Sequence, residues 1–161
     1  MSSDRIPRRA ALLGLTALCG CGFAPVYGDG NALRGRIGYE TEASVAGFVL
    51  RGRLEERLGV AAAPRYLLTV TQTSQRTTAA ITSAGDITRL NLIGTANWSL
   101  SEATTGNEIE TGQVETFTGF AATGSTSATQ AAEDDAARRL AVSLADMIVS
   151  RLLILSPVLP T

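Results

Sequence analysis

The run from Leu90 to Leu100 constrains the fold more than any other feature. Leu90, Leu92, Gly94, Ala96, Trp98 and Leu100 recur at a strict period of two. Asn91, Thr95, Asn97 and Ser99 take the alternate positions, interrupted only by Ile93. Side chains alternate across a β-strand, so this run is a strand with one apolar and one polar face. Such a strand belongs in an antiparallel sheet covered on one side only. Thr105-Gly106-Asn107 closes a hairpin, and Glu108 to Phe120 is the return strand. Its β-branched and aromatic residues fall on both faces, as in a strand partly covered on both sides or touching a partner.

The other elements follow from shorter patterns. Residues 34–42 form a first strand, with Ile37 and Tyr39 on one face. Ser44 to Leu58 reads as a helix, because Ala46, Leu50, Leu54 and Leu58 recur every four residues. Ser44 is placed to cap it and Gly59 to end it; Phe48 lies off the stripe. Tyr66, Leu68 and Val70 alternate in another strand, and the polar stretch Thr71 to Thr78 is a candidate continuation. Ser83-Ala84-Gly85-Asp86 is a turn. After a polar loop, Ser127 with Gln130 fits a capping box. The last helix then runs to about Leu155. Its expected stripe is Ala132, Ala136, Leu140, Leu144 and Met147, joined by Ala137 and Ile148. Glu133, Asp134 and Asp135 are expected near its positive end, and Arg151 near its negative end.

Helices with one apolar stripe need a sheet to cover. The expected fold class is therefore α+β: a four-stranded, mostly antiparallel sheet with two helices packed on one face, in the order β-α-β-β-β-α. With 161 residues, one domain is expected, over residues 34–156, followed by a tail at 157–161.

Composition removes most enzyme classes. The chain has no His, and all 14 basic residues are Arg. A His base or metal ligand, a P-loop Lys and a Schiff-base Lys are therefore excluded. Of the carboxylate pairs, Glu55/Glu56 and Asp134/Asp135 are adjacent on helices and do not converge, while Glu108/Glu110 share a strand face beside a turn, where a solvated face is expected. A non-enzymatic protein with no metal is expected. The net charge of −1 and the lack of a basic stripe speak against nucleic-acid binding.

The N-terminus reads as an export signal over residues 1–20. Arg5, Arg8 and Arg9 precede the short apolar run Ala10 to Leu18. Leu18-Cys19-Gly20-Cys21 resembles the lipobox of bacterial lipoproteins, with Cys21 as the residue to be acylated. Arg8-Arg9 before Ala10-Ala11-Leu12-Leu13 also resembles a twin-arginine signal. Cleavage before Cys21 leaves one cysteine, so no internal disulfide is expected. The expected modification is N-acyl diacylglycerol on Cys21, and no other cofactor is expected. Several acyl chains, at about 0.8 kcal/mol per buried methylene, make a stable anchor. Residues 21–33 are expected to form a lipidated tether.

From Cys21 the chain continues CGFAPVYG, to Gly28. This resembles the start of mature proteins of the LptE family of lipopolysaccharide-assembly lipoproteins, with Val26 where Leu is usual. The segments Leu50 to Leu58 and Asp135 to Leu152 also resemble that family's helices. The resemblance implies an outer-membrane lipoprotein on the periplasmic side, with Gly22 compatible with outer-membrane sorting. It implies a plug within the LptD β-barrel that helps the barrel assemble and aids insertion of lipopolysaccharide into the outer leaflet. It implies lipopolysaccharide contacts through basic residues near loop tips; Arg76 and Arg89, flanking the loop between the second and third strands, are the candidates. The alternatives are a periplasm-facing auxiliary lipoprotein of another lipid transport complex and a small hydrolase using Glu108.

Overall fold

The alternating run lies in the middle of a sheet. In a computed structural model of the chain, the described residues are 33–83, 85, 87–122, 124–156 and 159. The signal segment, Cys21 and nearly all of the tether lie outside them. Strand β1 (Ile37–Thr41) is followed by helix α1 (Val45–Leu58), strands β2 (Tyr66–Ile81), β3 (Ile87–Glu102) and β4 (Glu108–Ala121), and helix α2 (Thr126–Leu155). The sheet order is β1-β2-β3-β4. β1 runs parallel to β2, with α1 as the crossover such pairing needs, and the other pairings are antiparallel. The α+β class and the element order agree with the sequence reading.

Register puts the apolar set on one face. Ile37 stands beside Tyr66 and Tyr39 beside Leu68. Leu68 pairs with Leu100 and Val70 with Trp98, while Ala96 pairs with Val114 and Leu90 with Phe120. Both helices cover this face. The core also takes in Leu33 and Leu159, and it holds no polar or charged residue among the described residues.

α1 begins where Ser44, in extended backbone, accepts a hydrogen bond from Gly47 N at 3.0 Å. It ends at Gly59, whose φ of 81° suits a residue without Cβ. Leu50, Leu54 and Leu58 are buried, and Phe48 is exposed. α1 and α2 are tied by Arg53, which donates to both carboxylate oxygens of Asp146 at 2.9 and 3.1 Å. The hydrogen bonds to Asp146 and Glu56 raise the Arg53 pKa further above its ordinary value. Tyr39 donates to Gly59 O at 2.8 Å. Burial, with Glu55 adding, raises its phenol well above the ordinary value.

The last helix departs from expectation in three ways. Its N-cap is Ser125, which accepts from Ala128 N at 3.3 Å. Ser127 is already helical and Gln130 bonds to Asp134 instead, so the predicted capping box does not form. Because the helix starts earlier, Glu133, Asp134 and Asp135 lie beyond its first turn, and Arg151 lies before its last. The macrodipole acts only within the end turns, so that expected gain is lost. Finally, Met147 is more than a third exposed, while Ala141, Ala145, Val149 and Leu152 are buried. The helix buries two rows because it packs on both the sheet and α1, whereas one four-residue period describes a single row.

Gly94 sets how near α2 comes. A Cβ there would stand 2.7 Å from Leu140 Cδ2. Gly112 plays the same part for Trp98, whose ring lies where a Cβ would be.

Candidate functional site

The second face of the sheet carries no helix. By register it presents Thr69, Thr71, Thr73 and Thr77 from β2, Thr95, Asn97 and Ser99 from β3, and Thr111 and Gln113 from β4. These side chains are neutral hydrogen-bonding groups, and several pair across strands. Gln113 Nε2 donates to Asn97 Oδ1 at 2.9 Å. Thr95 Oγ1 donates to Glu115 Oε2 at 3.3 Å, and Thr69 Oγ1 to Glu40 Oε2 at 3.4 Å. Cross-strand pairs of this kind stabilise a sheet without an apolar cover. A shallow concavity lies over Thr69, Thr71, Asn97, Ser99, Thr111 and Gln113. Half-buried Ile93, the one break in the polar alternation, stands opposite exposed Phe117.

The β2–β3 hairpin extends this surface. Each of its strands has 16 residues, about 50 Å at the usual rise per residue. From Thr73 to Ile81, β2 is exposed on both faces. The sequence marked this stretch only as a candidate continuation, because polarity on both sides hides the period. Ile81 and Ile87 are exposed near the tip.

The two arginines singled out from sequence do not converge. Arg76 pairs in register with Leu92, on the helix-covered side, and donates to Glu133 at 2.9 Å. Arg89 precedes Leu90 and so lies on the open side, where its Nε is close to Gly119. Parity along β3 carries that distinction, but a bulge between Thr78 and Ala80 hides the hairpin register from the sequence.

Among the described residues the geometry assembles no catalytic group. Glu55 pairs with Arg51, Glu56 with Arg53, and Asp135 with Arg138 and Arg139. Glu108 and Glu110 are exposed beside a bulge. Among the described residues no three His, Cys, Asp or Glu cluster as a metal site would require. The cleft between the start of α1, β2 and α2 has a volume of about 180 Å³, and the concavity over the open face, about 570 Å³, is shallow rather than enclosing. No helix among the described residues is long and apolar enough to cross a membrane.

A four-stranded sheet roofed by two helices on one side and open on the other defines a two-layer α+β domain. Residues 26–152 match the family described as LptE, lipopolysaccharide-assembly. The chain belongs to the LptE family of lipopolysaccharide-assembly lipoproteins. The fold is shared with a putative lipoprotein from Caulobacter crescentus CB15 at 23% identity, covering 74% of this chain and 89% of that one, with a TM-score of 0.62. It is shared with the rare lipoprotein B of Shewanella oneidensis at 14% identity, covering 72% and 92%, with a TM-score of 0.58. A minor lipoprotein from Acinetobacter baumannii aligns at 23% identity over 74% and 91%, with a TM-score of 0.58. No curated protein matches the chain in sequence.

Proposed function

We propose that the chain is held in the outer membrane, facing the periplasm, by N-acyl diacylglycerol on Cys21. There it plugs an LptD-like β-barrel, helps that barrel assemble, and assists passage of lipopolysaccharide to the outer leaflet. It does so without catalysing a reaction. The observation that supports this reading most is the uncovered sheet face. The interior of a large outer-membrane barrel is polar and wet. A face mostly of Thr, Asn, Ser and Gln meets such a wall with few charges to desolvate, Glu40, Glu115 and Arg89 among them. Of the two arginine candidates for lipid A phosphate, Arg89 is the better placed. It lies on the open side, whereas Arg76 already serves Glu133.

The test is to purify the tagged chain from membranes. A large β-barrel should come with it, and Thr95→Arg with Asn97→Arg on the open face should abolish the pairing. Depletion should lower both mature barrel and surface lipopolysaccharide, and Cys21→Ala should release the protein from the membrane. Recovery of an inner-membrane ATPase complex instead, or normal surface lipopolysaccharide after depletion, refutes the proposal.

A further inference from the structure

The end of the domain nearest the expected anchor has its own chemistry. Gly35 N donates to Leu58 O, and Arg36 O accepts from both Arg65 N and Tyr66 N. The chain therefore enters the domain beside the C-terminal end of α1 and the start of β2. α2 ends there too: Glu133 meets Arg76 toward the far hairpin, while Asp146 meets Arg53 near the end of α1.

Between α1 and β2 lies the loop Val60-Ala61-Ala62-Ala63-Pro64. Val60 is 69% exposed, and Ile154 at the end of α2 is 70% exposed. Arg34, Arg36 and Arg65 surround the loop. None of the three makes an ion pair among the described residues, nor do Arg89 and Arg151 elsewhere, whereas Arg51, Arg53, Arg57, Arg76, Arg138 and Arg139 all do. Arg65 instead stacks on Tyr66, 5.7 Å from the ring centre. Of the acidic residues at this end, Glu102 stands across from Tyr66 on β3 and accepts from Thr105, Glu55 and Glu56 are paired with Arg51 and Arg53, and Glu108 and Glu110 lie on β4, two strands from β2.

We infer that this corner rests on the phospholipid surface, its apolar loop in the interface and its three free arginines on anionic head groups. The inference builds on acylation at Cys21. From Cys21 to Leu33 the chain spans at most about 40 Å, so an anchored domain is held within reach of the leaflet. Exposed apolar residues ringed by cations are what an anionic interface binds. Each arginine near such a surface shifts the docked-to-free ratio about five-fold, so three contribute roughly 100-fold at low salt.

The experiment uses the acylated protein with Ala62→Cys as its only free thiol, carrying a fluorophore. It is placed in vesicles of phosphatidylcholine, with or without phosphatidylglycerol, that contain a nitroxide-lipid quencher. Strong quenching is expected with phosphatidylglycerol at low salt, and little at high salt or without the anionic lipid. Arg34→Gln with Arg36→Gln and Arg65→Gln should abolish the difference. Val60→Asp, which leaves Arg65 and its stacking in place, should weaken it. A label on Ser83→Cys in the far hairpin should stay unquenched. Quenching indifferent to lipid charge, or unchanged in the arginine variant, overturns the inference while leaving the anchor intact. Protein that fails to float with vesicles at all refutes acylation, and this inference with it.

Discussion

Replacing Gly94 with alanine probes how closely α2 lies on the sheet. The added Cβ would stand 2.7 Å from Leu140 Cδ2, 2.9 Å from Cγ and 3.1 Å from Cδ1. Carbon atoms normally pack at about 3.5–4.0 Å, so the nearest overlap is close to 1 Å. Leu140 is buried, so its side chain or the helix must shift to admit the methyl. Overpacking of this kind costs about 1–3 kcal/mol. Removing a strand glycine returns about 0.5–1 kcal/mol of backbone entropy, leaving a net loss of about 1–2 kcal/mol. Leu140→Ala alone should cost about 2–5 kcal/mol through the cavity it leaves. In that background the Gly94→Ala methyl has room, so the second change should be neutral or mildly stabilising. A coupling of about 2 kcal/mol between the two sites follows. Urea unfolding followed by Trp98, the only tryptophan, measures it as shifts in midpoint at constant slope. If Gly94→Ala costs the same with and without Leu140, the close approach is not what excludes a side chain there.

Tyr39 makes stability fall in alkali. Its raised pKa means that the unfolded chain loses the phenol proton first, near pH 10, while the folded chain keeps it. The stabilisation is thus complete below about pH 10 and is lost above it, at up to about 1.4 kcal/mol per pH unit; Tyr39→Phe should remove that slope in unfolding measured from pH 8 upward. Asp146→Ala should lower the urea midpoint by breaking the tie to Arg53 and Arg57, by less than Gly94→Ala does, and the loss should shrink as salt is raised. Ser125→Ala should cost about 1 kcal/mol through loss of the α2 cap, whereas Ser127→Ala should shift the midpoint little; equal effects would return the cap to Ser127.

What the sequence disclosed followed the covering of each face. β3 was readable because its two faces differ, and α1 because a single row of leucines meets the core. The distal half of β2 was not, since both its faces are exposed and pairing there rests on backbone hydrogen bonds that any residue can make. In α2, the buried Ala141 and Ala145 gave too weak an apolar signal to reveal a second row beside Leu140 and Leu144. The N-cap was misplaced because Ser125 and Ser127 are chemically alike, and the backbone of Ser125 decides between them. The open face was half legible: Thr95, Asn97 and Ser99 could be aligned in β3, but matching them to β2 and β4 needed the hairpin registers.

The bare sheet face has a thermodynamic consequence for how the protein spends its time before assembly. Water satisfies its threonine and asparagine side chains, and its apolar area is a small patch around Ile93 and Phe117, so it offers little oily area to draw two copies together. For the same reason adhesion through this face is weak per unit area, since little water is released when it is covered. A lasting complex formed through it must owe its lifetime to enclosure by the other partner, as a bolt is kept by its socket rather than by glue.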